Sequence, residues 1–303
     1  MENTNAATAQ TKKSTQSQQD IPSSLKWTEV ENSIADVKQT FGFVPSFFKN
    51  LTEQGIPGAW SEVKAMRFGT NTALDVKLKS LIGLAVSTQI PCSRIAYFDE
   101  RSSSAEAATR QEQLEAVLMA AITRHWSTVL SGSLMDKTEF RNEADQIMLY
   151  VKSMIEKSNG SVPNESMFLA DPSASSKETY KDIEATLGLV PKFFRQFPNA
   201  GLAGAWSEFK AVQLNPHTSL NGKQKELIGL AVAAQIPCEY CIYFHRKAAA
   251  LNGATEIEMQ EAISLAALTR HWSTIFHGPQ TDLQTFQKDA DQILAFTSRQ
   301  AAH

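Results

Sequence analysis

The segment from Gly222 to His245 reads "GKQKELIGLAVAAQIPCEYCIYFH". Its first half is apolar nearly all round and carries small residues that permit close approach. This pattern is typical of a buried helix at the centre of a domain or between domains. Asn221 precedes this half and Gln224 follows three residues later, which is the spacing of a capping box. The second half predicts another helix, because Pro237 suits a first helical turn.

The same frame occurs once before, from Val76 to Asp99, as "VKLKSLIGLAVSTQIPCSRIAYFD". The two frames are offset by 146 residues, and other stretches repeat at the same offset. Examples are "GAWSEVKA" from Gly58 with "GAWSEFKA" from Gly204, and "TRHWST" from Thr123 and again from Thr269. Because the offset never changes, the two halves of the chain are expected to share one fold.

We predict an all-α protein built by tandem duplication of one multi-helix domain, since strand alternation is absent and capping signals recur in both halves. The first copy is placed at residues 27–157 and the second copy at residues 173–303. A linker rich in Gly, Ser, Pro and Asn joins them over residues 158–172. Residues 1–26 are polar and low in complexity, which predicts a disordered tail.

The composition argues against several classes of function. The chain has 303 residues and a net charge of −3, which gives no basic surface for nucleic acid. It contains no run of about 18 apolar residues that would predict a membrane span, and its N-terminus lacks the apolar core of a signal peptide. We therefore expect a cytoplasmic protein. The three cysteines, Cys92, Cys238 and Cys241, are too few for a disulfide-stapled scaffold.

The second copy brings three reactive side chains onto one helix face. At about 100° per residue, Cys238, Cys241 and His245 fall within an arc of roughly 60°. A helix N-terminus stabilises a thiolate, and α-carbons three residues apart are close enough for a disulfide. His245 lies one turn beyond Cys241, where it can act as a base directly or through one water. These features predict redox chemistry at the two cysteines.

Two alternatives remain open for this group of residues. Glu226 either orients and charges His245 across a helix pair, or it only complements the dipole of a solvated first turn. Two cysteines, a histidine and a carboxylate are also a legitimate zinc set. Structural zinc sites usually draw their ligands from separated knuckles rather than from one helical face. A metal-binding module is therefore the lesser alternative.

The first copy keeps the frame but loses the reactive residues. At the positions that match Glu226, Cys238, Cys241 and His245, it has, in order, Ser80, Cys92, Ile95 and Asp99. We attribute features present in both copies to the fold, and features present in one copy to chemistry. The first copy is therefore predicted to be a structural partner that completes the oligomer and one wall of the active pocket.

The other histidines are assigned to structure. His125 and His271 occur in both copies within "TRHWST", and they are predicted to lie in the core or at an interface. His217 and His277 have no cysteine neighbours in the sequence, and they are predicted to lie at the surface.

The full spaced set is specific enough to suggest a family. The spacing of Glu226, the CxxC pair and His245, with the lead-in "KQKELIGLAV" from Lys223, resembles the core motif of the alkylhydroperoxidase D-like branch of the carboxymuconolactone decarboxylase superfamily. The match is best over residues 180–280. The resemblance implies an all-α fold and assembly as a trimer or hexamer, so a homo-oligomer is expected.

The resemblance also implies a mechanism. Cys241 would be the peroxidatic thiol, His245 and Glu226 would relay its proton, and Cys238 would resolve the sulfenic acid as a disulfide. The implied activity is thiol-dependent reduction of hydroperoxides or disulfides without a bound cofactor. An external dithiol, a lipoyl group or a thioredoxin-like protein, would reduce the pair. The alternatives are a non-catalytic oligomeric redox sensor or stress-linked interaction protein, and a carboxymuconolactone decarboxylase-like enzyme.

Overall fold

Every regular element within residues 23–159 and 161–301, the part of the chain that the computed structural model describes, is a helix. The predicted all-α fold is confirmed. The first copy contains α1 (Ser23–Phe41), α2 (Ile56–Val63), α3 (Val76–Gln89), α4 (Ser93–Ala105), α5 (Arg110–Gly132) and α6 (Lys137–Lys157). The second copy contains α7 (Ser176–Leu187), α8 (Lys192–Gln196), α9 (Asn199–Phe209), α10 (Gly222–Gln235), α11 (Glu239–Leu251), α12 (Glu256–His277) and α13 (Leu283–Ala301).

The predicted disordered tail, residues 1–26, falls mostly outside the described residues. Residues 1–22 are not described, and α1 begins at Ser23, inside the range given to the tail. The predicted linker contains one 3-10 turn, Glu165–Phe168.

The helix bounds follow the sequence repeat. Helices α3 and α10, and likewise α4 and α11, begin and end at the same offset of 146 residues that the sequence shows. The predicted caps form: the Asp75 carboxylate accepts a backbone hydrogen bond at the start of α3, and capping boxes begin at Thr109, Asn221 and Thr255. Gly188 ends α7 in the left-handed conformation, with φ of 82°. The sequence repeat therefore corresponds to a repeat of helix bounds and caps at these positions.

Pro191 and Pro237 both precede the first residue of a helix, and for Pro237 this is earlier than the sequence predicted. Pro191 is the N-cap of α8 rather than a residue of its first turn. Pro237 precedes the N-cap of α11, because Cys238 takes that position and its sulfur accepts a hydrogen bond from the Cys241 amide at 3.2 Å. The first turn of α11 is thus held by a cysteine side chain.

Helix α9 ends at Phe209, and the chain changes there to a π-helical turn, Lys210–Leu214. A buried lysine accounts for the change. The Lys225 ammonium donates to the carbonyl oxygens of Val212 and Asn215, both at 2.6 Å, which removes these carbonyls from a regular helical ladder. The turn places Gln213 against α10.

The two copies are interlocked. A central core joins α3 and α5 of the first copy to α10 and α12 of the second. The last helix of each copy crosses to the other, since α6 packs against α11 and α13 packs against α4. Each outer core therefore combines residues of both copies. In the described residues, no helix is both long and apolar enough to cross a membrane.

Candidate active site

The structure brings the four predicted site residues together in the second copy. Glu226, Cys238, Cys241 and His245 are each at most 5% exposed. Helices α10 and α11 pack side by side, and Glu226 Oε2 lies 2.7 Å from His245 Nδ1. The alternative that Glu226 lies in a solvated first turn is therefore wrong.

Both nitrogens of the His245 imidazole have partners. Glu226 holds Nδ1, and the hydroxyl of Thr123 from α5 of the first copy lies 3.3 Å from Nε2. Glu226 is itself held by the Gln213 amide, which donates to Oε1 at 3.1 Å. Within the described residues, no hydrogen bond joins His245 to Cys241. The imidazole thus stands beside the sulfur at a shared cavity without bonding to it.

The two cysteines form a coupled pair that holds one negative charge on Cys238. A hydrogen bond from the Cys241 side chain lowers the pKa of Cys238 to about 6, against the opposing effect of burial. The Ser127 hydroxyl and the amides of Cys241 and Tyr240 lower this pKa further. The same shared proton, together with burial, raises the pKa of Cys241. The resting thiolate is therefore Cys238, whereas the resemblance implied that the relay acts on Cys241.

An apolar cavity of about 50 Å³ opens onto Cys241 and His245. Its walls come from both copies. The first copy contributes Ile122, Thr123, Trp126, Leu130, Phe140, Glu143, Ala144 and Ile147, and the second contributes Leu187, Pro191, Phe193, Phe194, Phe209, Gln213 and Phe244. The predicted wall from the first copy is thus present. Of the residues that the structure describes, no lysine or arginine lines the cavity.

Residues of "TRHWST" in the first copy were missed by the sequence analysis. Thr123, Trp126 and Ser127 are buried at the site, while His125 is exposed, as is His271. The core alternative is therefore wrong for both histidines, while a place at an interface stays a prediction. The motif is present in both copies because each copy uses it to complete the pocket of the other. His217 and His277 are exposed, as predicted.

Removal of the Ser127 hydroxyl should weaken the Cys238 thiolate. In the wild type, thiolate appears as the pH rises through about 6, so alkylation by iodoacetamide should rise over the same range. We expect Ser127→Ala to move this rise to higher pH and to slow alkylation at pH 6 roughly threefold to tenfold. Ser273→Ala, at the matching position in the other copy, should leave the profile unchanged. The same pH dependence of alkylation in the wild type, Ser127→Ala and Ser273→Ala would refute the contact between Ser127 and Cys238.

Gly229 is required for the close approach of His245 to α10. A β-carbon at Gly229 would lie less than 3.0 Å from three atoms of the imidazole. We expect Gly229→Ala to displace His245, to cost about 1–3 kcal/mol of stability, and to lower activity by more than about tenfold. Gly83→Ala is the matched control, because the same clash falls on Asp99 in the first copy. It should cost similar stability, measured by chemical unfolding, and retain activity. Full activity of Gly229→Ala would show that the position of His245 is unimportant.

Among the described residues, no group of three or more His, Cys, Asp or Glu side chains is arranged to hold a metal ion. The group that suggested a zinc set has other hydrogen-bond partners. Both imidazole nitrogens face oxygen atoms, and the Cys238 sulfur faces a backbone amide.

Comparison with protein families identifies the segment that carries this site. Residues 200–278 match the model of the carboxymuconolactone decarboxylase family. The segment runs from within α9 through α12 and contains the cysteine pair, His245 and Glu226. The predicted resemblance to the carboxymuconolactone decarboxylase superfamily is confirmed over these residues, while the resemblance to its alkylhydroperoxidase D-like branch stays a prediction.

A solved structure shares the fold. It is a protein from Burkholderia xenovorans LB400 assigned as a gamma-carboxymuconolactone decarboxylase subunit, and it is 16% identical to this chain. The match covers 89% of this chain and 98% of that chain, with a TM-score of 0.50. At this identity the likeness concerns the fold alone. A comparison with curated proteins found no match.

Proposed function

We propose that the second copy is a thiol-dependent peroxidase that reduces organic hydroperoxides to alcohols. One observation carries the proposal: the Cys241 thiol and the His245 imidazole face the same apolar cavity, and the Cys238 thiolate lies beside that thiol. An apolar cavity suits the organic part of a hydroperoxide, and the polar groups at its end suit the peroxide oxygens.

The arrangement supports a balanced two-step reaction. Cys238 takes the proton of Cys241, and the new Cys241 thiolate attacks the terminal peroxide oxygen. The O–O bond breaks, the alkoxide leaves with a proton transferred by His245, which Glu226 orients, and Cys241 becomes a sulfenic acid. This proton replaces the one that the Cys238 thiol lost when the resting thiolate formed. The Cys238 thiol then attacks this sulfur and expels water. One hydroperoxide and two thiols thus give one alcohol, one water and one disulfide.

An external dithiol must return the pair to its reduced state. Cys238 is 3% exposed and Cys241 is 5% exposed, so a bulky protein surface reaches them poorly. A slim dithiol such as a lipoyl group fits this access better than a thioredoxin-like protein does. No bound cofactor is part of the proposal.

The cavity fits a carboxylated lactone poorly. Such a substrate carries negative charge, yet among the described residues no lysine or arginine lines the walls. Glu143 lines the cavity and Glu226 lies behind His245, and both carboxylates would repel an anion. This charge pattern favours a neutral hydroperoxide over the decarboxylase reaction.

A homo-oligomer remains part of the proposal. Leu114 and Leu118 on α5 are 42% and 36% exposed, and they offer apolar surface to a neighbouring chain. Sedimentation of the purified protein would give the number of chains.

Turnover separates the proposed enzyme from a sensor. The reduced protein is mixed with dihydrolipoamide and an excess of methyl hydroperoxide, an organic hydroperoxide small enough for a cavity of about 50 Å³, and the methanol formed is measured. We expect many alcohol molecules per chain. A single oxidation of the cysteine pair that changes the size or stability of the protein, without further turnover, would support the redox sensor. Release of CO2 from a carboxylated lactone without peroxide turnover would support the decarboxylase-like enzyme.

A further inference from the structure

Glu143 on α6 lies at the boundary between the active cavity and solvent. Its side chain lines the cavity that Cys241 and His245 face. It also lines an open groove of about 680 Å³ on the outside of the protein, the outer groove. Among the described residues, no other residue lines both. A molecule that enters the active cavity from the outer groove therefore passes the Glu143 carboxyl group.

The wall between the outer groove and the active cavity is one chain segment thick. Leu187 and Pro191 line the cavity. The three residues between them in the sequence, 188–190, line the groove instead. Successive residues of a single turn thus form the two faces of the wall, with Glu143 beside them. The outer groove is therefore a short route to the cysteine pair.

The Glu143 carboxylate is held by a backbone group rather than by a cation. Both of its oxygens accept from the amide nitrogen of Lys192 at 3.1 Å, where α8 begins. The Lys192 ammonium pairs with Glu139 instead, at 2.6 Å. In the described part of the chain, no lysine or arginine forms an ion pair with Glu143. Its negative charge thus has no counterion in contact with it.

The first copy has no such carboxylate at its own cavity. The position that matches Glu143 is Asp289, whose side chain is one methylene shorter. Asp289 Oδ2 accepts from the backbone amide and the hydroxyl of Ser46, both at 2.6 Å. Asp289 does not line the first-copy cavity, as far as the chain is described. The capping role is therefore common to both copies, whereas a carboxylate facing the cavity belongs only to the copy with the cysteine pair.

A carboxylate at the entrance of an apolar cavity discriminates by charge. It repels a second negative charge, and the repulsion is strong where apolar walls exclude the water that would screen it. Three more carboxylates, those of Asp136, Glu139 and Glu184, line the outer groove, and Arg195 offsets part of their charge. The route to the cysteine pair is thus unfavourable for anions.

We propose that Glu143 is a specificity-determining residue of the active cavity, which admits uncharged molecules to the cysteine pair and excludes anions. For the peroxidase, the substrate class then narrows to uncharged organic hydroperoxides, and this step rests on the proposed function. The selection by charge itself does not rest on it, because it concerns access to the thiols and not the reaction that follows.

Two alkylating reagents of nearly equal size test the selection. Iodoacetamide is uncharged, iodoacetate is an anion, and both react with thiolates. Their rates with the reduced full-length protein are compared at pH 8, because burial raises the pKa of Glu143. Mass spectrometry measures adducts on the peptide that carries Cys238 and Cys241. We expect the ratio of the iodoacetamide rate to the iodoacetate rate to be at least about tenfold higher in the folded protein than in urea. Equal ratios, or no adduct with either reagent in the folded protein, would refute the entrance.

Glu143→Gln assigns the selection to one carboxylate. Glutamine has the same size and still accepts from the Lys192 amide through its oxygen. We expect the ratio to fall at least about fivefold. A change in the thiolate population alters both rates equally and cancels in the ratio. Asp289→Asn, the matched change in the first copy, should leave the ratio within about twofold of the wild type. An unchanged ratio in Glu143→Gln, or an equal fall in Asp289→Asn, would overturn the assignment.

The alkylation ratio separates this proposal from the proposed function. Turnover of methyl hydroperoxide with an unchanged ratio in Glu143→Gln would refute the role of Glu143 alone. The expected fall in the ratio, without turnover of methyl hydroperoxide by the wild type, would support the role of Glu143 and refute the peroxidase. The comparison of folded and unfolded wild type does not depend on the folding of any variant.

Discussion

Cys241→Ser is expected to lower hydroperoxide turnover at least about 100-fold. Cys241 is the thiol that faces the active cavity, and a serine hydroxyl is too weak a nucleophile to replace it. The variant should fold, because the side chain changes by one atom and the apolar walls remain. Turnover of methyl hydroperoxide with dihydrolipoamide measures the effect, and circular dichroism checks the fold.

Cys92→Ser is the matched control for this variant. Cys92 is the N-cap of α4, as Cys238 is of α11, and it is fully buried in the first copy. Its sulfur forms no capping hydrogen bond, in contrast to that of Cys238. We expect turnover within about twofold of the wild type. Full activity of Cys241→Ser, or loss of activity in Cys92→Ser alone, would contradict the assignment of the nucleophile.

Residues 161–301 expressed alone are expected to form no stable monomer. The outer core around the active cysteines includes five large side chains from the first copy, Ile122, Trp126, Leu130, Phe140 and Ile147. Burial of such a side chain contributes about 1.5–3 kcal/mol, so together they contribute roughly 8–15 kcal/mol. This is comparable to the whole stability of an ordinary domain, about 5–15 kcal/mol.

Co-expression of residues 23–159 with residues 161–301 should restore a one-to-one complex with peroxidase activity. Sedimentation and a thiol alkylation profile of the complex provide the measurements. A folded, active monomer of residues 161–301 would show that the first copy is dispensable, and the interlocked arrangement would then be wrong.

Local structure was predictable because short-range chemistry determines it. The caps at Asp75, Thr109, Asn221 and Thr255 follow from side chains that satisfy free backbone amides within three residues. The shared face of Cys238, Cys241 and His245 follows from helix periodicity in the same way. The constant offset predicted that these features occur in pairs.

The crossing of the last helices was not predictable from the pattern. Helices α6 and α13 carry the same stretch "ADQI" at matching positions, so each presents a similar apolar face to either copy. Periodicity indicates that a helix is half-buried without indicating its partner. For this reason Thr123 and Ser127 were assigned to the fold, although they contact the active residues of the other copy.

The protonation of the cysteine pair also depends on tertiary detail. The sequence placed both sulfurs near a helix N-terminus and suggested His245 as the base of Cys241. In the structure Cys238 is the N-cap and accepts hydrogen bonds. The two ring nitrogens of His245 instead lie within hydrogen-bond distance of Glu226 and Thr123. A shift of the helix start by one or two residues changed which sulfur carries the charge.

The most direct test of the proposed active site is to map the thiols after reaction of the reduced protein with one equivalent of methyl hydroperoxide. Three cysteines are free before oxidation. We predict that two thiols disappear, that mass spectrometry of the digested protein finds one disulfide between Cys238 and Cys241, and that Cys92 remains reduced. Three free thiols after exposure to peroxide, or a disulfide that includes Cys92, would contradict a single active site in the second copy.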